Sequence, residues 1–78
     1  MSVSAYVLIQ TEMGRAPEVA GAIRAVDGVE FADVMTGPYD VLAKASADTM
    51  DELGRMVVSQ IEMTSGITRT LTCPVVNL

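Results

Sequence analysis

The segment Thr36-Gly37-Pro38-Tyr39-Asp40 constrains the fold most, because it separates two strand-like runs by only a few residues. A Gly-Pro step followed by an aspartate is typical of a chain reversal. A connection this short makes the two runs an antiparallel hairpin. From local chemistry alone, the segment is either a simple turn or one part of a binding site.

Four strands and two helices are predicted, in the order β-α-β-β-α-β. Runs of β-branched and apolar residues predict strands at 4–11, 29–36, 39–46 and 67–75. The first helix starts near Pro17, carries the apolar stripe Val19, Ala22, Ile23 and Val26, and is predicted to end at Gly28. The second, capped by Asp48 or Thr49, carries Met50, Leu53, Val57 and Ile61, widened by Met56.

This order predicts a single α+β domain over residues 1–78. Right-handed crossovers in both halves give a ferredoxin-like βαββαβ sandwich, in which two helices cover one face of a four-stranded antiparallel sheet. The first strand is apolar at successive positions, so we expect both of its faces to be covered. Helices would cover one face, and a partner subunit would cover the other.

The small size of the chain also favours self-association. A chain of 78 residues with one cysteine has no internal disulfide to support it, and at this size only about 60 % of the unfolded surface is buried. Pairing of two sheets, to give a homodimer, is therefore predicted. The lone cysteine, Cys73, is expected to be a packed thiol in the last strand.

Charge and composition argue against several classes of function. The net charge is −5 and the five basic residues are scattered, so direct nucleic-acid binding is not expected. The chain has no histidine, no tryptophan and no glycine-rich phosphate loop, so neither a metal nor a cofactor is expected. No apolar run is long enough for a membrane span and no signal pattern is present, which predicts a cytoplasmic protein.

Three features remain as a candidate site: the Tyr39-Asp40 turn, the connection 64–66, and the alternating threonines of the last strand. Thr68, Thr70 and Thr72 are predicted to share one face of that strand, and Ile67, Arg69, Leu71 and Cys73 the other. Backbone amides at Gly37 and Gly66 can hold a carboxylate, and Asp40 can receive an ammonium group. Such a set suits a zwitterionic small molecule. The alternative is that the turn only reverses the chain and the threonines are only good strand formers.

These motifs resemble those of the Lrp/AsnC effector-binding domain, also called the RAM domain. The turn at 36–40 resembles the Gly-x-Tyr-Asp turn of that family, and residues 66–72 are similar to its Gly-Val-x-x-Thr-x-Thr stretch. Gly28-Val29 matches the usual opening of its second strand. The resemblance covers essentially the whole chain, without the helix-turn-helix domain of full-length regulators.

The resemblance implies sheet-paired dimers that associate into rings, often octamers. It implies an amino-acid effector bound between dimers by Gly37, Tyr39, Asp40, Gly66, Ile67, Thr70 and Thr72. Backbone amides would hold the ligand carboxylate, and Asp40 or threonine hydroxyls would engage its amino end. A stand-alone domain of this kind would not bind DNA itself, and could join a DNA-binding Lrp/AsnC paralogue in mixed oligomers.

Three functions from different classes follow. The leading one is a non-enzymatic sensor of an amino acid or related metabolite, linked to transcriptional regulation of amino-acid metabolism. The second is a small enzyme on a dimeric α+β barrel, against which the lack of histidine and of a clustered acid-base pair counts. The third is a purely structural oligomerisation module, which would not respond to any amino acid.

Overall fold

The computed structural model describes residues 2–78 and has the predicted order of elements. The strands are β1 (Val3–Thr11), β2 (Val29–Val34), β3 (Val41–Ala47) and β4 (Ile67–Pro74). The helices are α1 (Ala16–Arg24) and α2 (Met50–Met56), and α2 continues into a π-helical segment, Val57–Ile61. The strand order is β2-β3-β1-β4 and each neighbouring pair is antiparallel, which confirms the ferredoxin-like α+β sandwich.

The core lies between one face of the sheet and the two helices. Ala5, Val7 and Ile9 of β1 point inward and are fully buried. Their neighbours on β3 are also buried and include two alanines, which leave room for larger helical side chains. The helical side of the core consists of Val19, Ala20, Ile23, Leu53, Val57 and Ile61. Within residues 2–78, neither helix has the length and apolar character that a membrane crossing requires.

The first helix differs from its prediction in two details. Ala20, not Ala22, completes the buried stripe with Val19 and Ile23. The helix ends at Arg24, whose Nε donates to the Ala32 carbonyl at 2.8 Å and so ties the helix end to β2. Gly28 (φ +93°) directly precedes β2, so the prediction that it ends the helix is wrong.

The second helix is closer to its prediction. Thr49 is the N-cap, and its hydroxyl accepts a hydrogen bond from the Glu52 amide at 3.1 Å. Leu53 is buried and Met56 packs against the core, as predicted. Met50, by contrast, is about half exposed at the first turn.

The hairpin loop is longer than predicted and spans residues 35–40. Gly37 has φ +126°, and Pro38 has no amide proton to donate to a strand partner. The amide of Asp40 donates to the Ile9 carbonyl at 2.8 Å, so this residue already belongs to the contact with β1.

A β-bulge in β4 changes which of its side chains face the core. Arg69 pairs with Gln10 and Ile67 with Thr11, so Thr68 is an extra residue in the strand. Ile67 consequently packs against the core on the helix-covered face. The prediction that Ile67 would share a face with Leu71 is therefore wrong, because regular alternation does not hold across a bulge.

The opposite face of the sheet is not covered by any element of residues 2–78. A cross-strand row of Leu42, Leu8 and Leu71 runs through its centre. Lys44 lies beside this row, with Nζ 5.6 Å from the centroid of the Tyr6 ring. Cys73 pairs with Tyr6 and is exposed in the single chain, in contrast to the packed thiol that was predicted. Covering of this face by a partner subunit stays a prediction.

Candidate functional site

The carboxyl end of β1 connects the two segments that carry the predicted site residues. On one side, Asp40 Oδ2 accepts a hydrogen bond from the Thr11 amide at 2.8 Å. On the other side, the Glu12 amide donates to the Gly66 carbonyl at 2.8 Å. The strand order explains this arrangement, because β1 lies between β3 and β4. The hairpin and the connection before β4 therefore flank the same strand end.

Polar groups hold the hairpin against β1. Gln10 Nε2 donates to the Pro38 carbonyl at 2.8 Å. Asp40 Oδ2 accepts a hydrogen bond from the Thr11 hydroxyl at 3.4 Å, in addition to the one from the Thr11 amide. Tyr39 and Asp40 are half-buried, whereas Gly37 is exposed with open space around it. Within the single chain, the Asp40 carboxylate thus acts as a structural acceptor that positions the loop.

Arg15 packs over Gly66 on the other side of β1. A Cβ atom at Gly66 (φ +97°) would lie 3.0 Å from Arg15 Cζ. The guanidinium contacts Glu18 at 3.0 and 3.1 Å, Glu12 at 2.9 Å and the Ser65 hydroxyl at 3.3 Å. It therefore links the start of α1 to the connection that leads into β4.

These contacts change the titration of the charged groups involved. The hydrogen bond to Glu18, followed by that to Glu12, raises the pKa of Arg15. Conversely, the Arg15 guanidinium lowers the pKa of the Glu18 carboxyl. In the sequence, Arg15 is one of the scattered basic residues, but its spacing of three residues from both Glu12 and Glu18 is the signal that could have identified this ion-pair cluster.

A polar cavity of about 220 Å³ lies at the outer edge of β4. Its lining consists of Glu62, Ile67, Thr68, Arg69 and Thr70. Ile67 and Thr70 belong to the predicted site, whereas Glu62 and Arg69 do not. Glu62 had no signal in the sequence, since only the packing of the helical segment beside β4 brings it to the cavity.

An apolar groove of about 230 Å³ adjoins the polar cavity, because Glu62 lines both. Its other lining residues are Met50, Leu53, Gly54, Val57, Val58, Thr72 and Pro74. Thr72 lies here because it pairs with Val7 on the helix-covered face of the sheet. Its partner Val7 lies four residues before Thr11, the β1 residue that contacts the hairpin.

The predicted site residues thus fall into distinct places: Gly37, Tyr39 and Asp40 in the hairpin, Gly66 under Arg15, Ile67 and Thr70 in the polar cavity, and Thr72 in the apolar groove. Among residues 2–78, the hairpin and Gly66 are both hydrogen-bonded to the end of β1 or the residue after it. No single cavity of residues 2–78 described above contains all of them.

The fold defines a ferredoxin-like α+β domain with a small polar cavity at the edge of its sheet. Residues 4–77 match the Lrp/AsnC ligand binding domain. The chain belongs to this family, which confirms the resemblance seen in its motifs.

Individual relatives agree with this assignment. The HTH-type transcriptional regulator PF0250 from Pyrococcus furiosus is 28 % identical over 75 residues, which cover 92 % of this chain and 50 % of the regulator. The chain therefore spans about half the length of this curated relative. The crystal structure of TTHA0845 from Thermus thermophilus is 29 % identical with a TM-score of 0.90, and the likeness covers 97 % of this chain and 95 % of the other.

A more distant relative has been solved with a ligand. The transcriptional regulator NMB0573 from Neisseria meningitidis, in complex with L-Met, has a TM-score of 0.82 at 19 % identity. The likeness covers 96 % of this chain and 50 % of that one. At this level of identity, the comparison shows a shared fold.

Proposed function

We propose that this domain binds an amino acid or a closely related metabolite, and that it works as an effector-binding and oligomerisation module in transcriptional regulation of amino-acid metabolism. The match of residues 4–77 to the Lrp/AsnC ligand binding domain carries this proposal. The regulator PF0250 supports the link to transcription, and the L-Met complex of NMB0573 supports an amino acid as the ligand. The proposed activity is binding without catalysis.

The effector site is proposed to lie between subunits and to use Gly37, Tyr39, Asp40, Gly66, Ile67, Thr70 and Thr72. Within one chain, the hairpin follows β2 and leads into β3, while the polar cavity lies beyond β4, and two strand spacings of about 10 Å in total separate β3 from β4. A small ligand at the outer edge of β4 is therefore too far from the hairpin of the same chain. The hairpin of a neighbouring subunit can complete the cleft.

Assembly through the uncovered face of the sheet is part of the same proposal. The row of Leu42, Leu8 and Leu71 would pair with its copy in a homodimer, and dimers would then form a ring such as an octamer. A ligand that binds between dimers stabilises the assembled state by mass action. The module would act in the cytoplasm, alone or with a DNA-binding paralogue, and its charge of −5 supports a role without direct DNA contact.

Calorimetric titration with a panel of amino acids tests the proposal. At least one amino acid should bind, and Asp40→Ala should weaken that binding by about tenfold or more, because the hairpin loses the charged acceptor that holds it on β1. Asp27→Ala, at an exposed turn away from both cavities, is the matched control and should bind as the unmodified chain does. Unchanged affinity in Asp40→Ala would remove Asp40 from the site.

A further inference from the structure

The two edges of the sheet differ in how they are protected. β2 and β4 are the outer strands of the order β2-β3-β1-β4. β2 has a bulge at Glu30, and Arg24 Nε donates to the Ala32 carbonyl at 2.8 Å, which occupies a main-chain group of that strand. Bulges and covered edge groups both discourage the addition of another strand. The edge formed by β2 is therefore closed to strand addition.

The edge formed by β4 has free main-chain groups. The Val75 amide, just after β4, donates to the Ser4 carbonyl at 2.9 Å. In an antiparallel pair, residues that exchange hydrogen bonds alternate with residues that do not. In the observed register, Thr70 and Thr72 are of the second kind, so their amides and carbonyls face away from β1. Within residues 2–78, no side chain donates to or accepts from these groups.

The apolar groove beside α2 runs along this free edge. Val57 and Val58 line it from the helical side, and Thr72 and Pro74 line it from β4. Side chains alternate between the two faces of a strand, so every second residue of a strand added to β4 would face the helices. Such a strand would use the free main-chain groups and also fill the groove.

The segment 75–78, which follows β4, has the pattern that an added strand needs. It lies outside any helix or strand. Val76 is 76 % exposed and Leu78 is fully exposed, with the polar Asn77 between them. In an extended conformation, Val76 and Leu78 lie on one face and Asn77 on the other. The segment can therefore present two apolar side chains to a groove.

The segment cannot fill the groove of its own chain. Pro74 lines that groove, and the hydrogen bond from the Val75 amide holds the next residue on β1. The chain can turn back only after Val75, and the shortest hairpin turn takes two residues. Val76 and Asn77 would form that turn, which leaves only Leu78 to pair with β4. A second copy of the chain has no such restriction.

A two-fold axis at Pro74 brings each segment to the groove of the other copy. About this axis, Val76 of one copy lies opposite Thr72 of the other, and Leu78 lies opposite Thr70. The alternation along the chain turns the main-chain groups of all four residues to the shared edge, so both pairs can exchange hydrogen bonds. Pro74 has no amide to donate, so the pairing begins beyond it.

The same register places the apolar side chains correctly. Thr70 and Thr72 pair with Ile9 and Val7, which are buried on the helix-covered face. Residues that pair across strands have side chains on the same face of the sheet. Val76 and Leu78 would therefore point to the helices, where the groove lies.

We propose that segment 75–78 of one copy adds to β4 of a second copy as a fifth strand, with Val76 and Leu78 in the groove beside α2, and that the exchange is mutual. This inference rests on the proposed function, because it supplies the contact between sheet-paired dimers that a ring requires. Each chain inserts only two apolar side chains, which is far below a stable interface of about 1,200 Å². Since each dimer offers two segments and two grooves, the exchange gains strength from being multivalent.

Cysteine cross-linking tests the pairing directly. The test chain carries Cys73→Ser, Thr72→Cys and Val76→Cys. In the exchanged pair, the new cysteines of different copies have Cα atoms about 5.5 Å apart, which permits a disulfide. Within one chain, the same two positions are about 13 Å apart along the extended backbone, which does not. Mild oxidation should therefore give a two-chain product on a non-reducing denaturing gel.

The matched control carries Cys73→Ser, Thr72→Cys and Asn77→Cys. Residue 77 points to the opposite face of the added strand, so this chain should stay single under the same oxidation. Thermal melts of the reduced proteins verify that both chains fold. No two-chain product in the test chain, or an equal amount in the control, would overturn the exchange.

The mass of the assembly gives a second test. Val76→Asp and Leu78→Asp each place a carboxylate in an apolar groove, so either should reduce a larger ring to dimers. Asn77→Asp is the control and should keep the mass of the unmodified chain. Light scattering at several protein concentrations measures the mass. An unmodified chain that never exceeds a dimer, or a Val76→Asp variant with the full mass of the ring, would contradict the proposal.

The failure of this inference is distinguishable from failure of the proposed function. Amino-acid binding is measured by calorimetric titration of the unmodified chain, which does not depend on segment 75–78 being exchanged. If an amino acid binds and the cross-link is absent, only the exchange is wrong. If the cross-link forms and none of the twenty amino acids binds, the exchange holds and the proposed function fails.

Discussion

Gly21 and Gly28 lie seven residues apart, yet a methyl group would meet different surroundings at the two positions. Around Gly21, in the exposed part of α1, no atom of residues 2–78 outside its chain neighbours and the adjoining helix backbone lies within 4 Å of a Cβ, so no close approach by another element explains this glycine. At Gly28, with φ +93°, a Cβ would lie 2.8 Å from the Ser46 carbonyl oxygen. That carbonyl belongs to β3 and cannot move without disturbing the sheet.

We predict opposite effects of alanine at these two positions. Gly21→Ala should raise the free energy of unfolding by about 1 kcal/mol, the difference in helix propensity. Gly28→Ala should lower it by about 1–3 kcal/mol, because a non-glycine residue at this φ is strained and its Cβ collides with backbone. Urea denaturation at one fixed protein concentration measures both. Destabilisation by Gly21→Ala would show that an unseen surface packs on this part of α1.

Among the secondary-structure elements, α2 depends on a single local cap. The Thr49 hydroxyl accepts the Glu52 amide at 3.1 Å. Thr49→Ala should therefore cost about 1 kcal/mol of stability, whereas Thr49→Ser keeps the hydroxyl and should cost much less. Denaturant midpoints of the two variants decide this, and equal losses in both would show that the hydroxyl is not the stabilising group.

The start of α1 is sensitive to pH through Arg15 and Glu18. Because Arg15 lowers the pKa of Glu18 in the folded state, the unfolded state binds more protons in acid. The stabilisation is present above the ordinary glutamate value of 4.5 and is lost as the pH falls through the lowered folded value. Both side chains are exposed, so the effect on stability should be small.

Arg15→Gln should return the pKa of Glu18 towards 4.5. The titration is followed by the NMR shift of the Glu18 side-chain carboxyl carbon. Arg55→Gln serves as the control, since Arg55 lies on α2 away from Glu18, and it should leave that titration unchanged. An unchanged Glu18 titration in Arg15→Gln would show that the ion pair does not persist in solution.

The order of the elements could be predicted because apolar periodicity and turn residues are local properties. The face of Ile67 at the start of β4 could not be predicted, since a bulge such as that at Thr68 has no signature in the alternation of threonines. The residues of the candidate site divide in the same way, into those that a local sequence pattern indicates and those that only tertiary packing brings together. Ile67 and Thr70 were identified from a sequence motif, whereas Glu62 became apparent only when helix packing placed it beside β4.

At the scale of the whole molecule, the uncovered face of the sheet is the main unexplained apolar surface of the described chain. Leu8 and Leu42 are half-buried and Leu71 is 45 % exposed. A second copy placed over this row would bury all three side chains and so add to the limited apolar burial of a domain of this size.

Leu71→Asp should therefore convert the proposed dimer to a monomer, because two carboxylates would be buried in its interface without partners. Size-exclusion chromatography with light scattering measures the mass. Met13→Asp, at a fully exposed loop position, is the control and should remain a dimer. A dimer of unchanged affinity in Leu71→Asp would show that the sheets do not form the interface.

Native mass spectrometry of the purified protein, with and without added amino acids, tests the central claim most directly. It reports subunit count and retained small molecules in one spectrum. Our account predicts a dimer or a larger ring with an even number of subunits, which retains an amino acid or gains mass and subunits when the right one is added. A monomer that binds none of the twenty amino acids would contradict it.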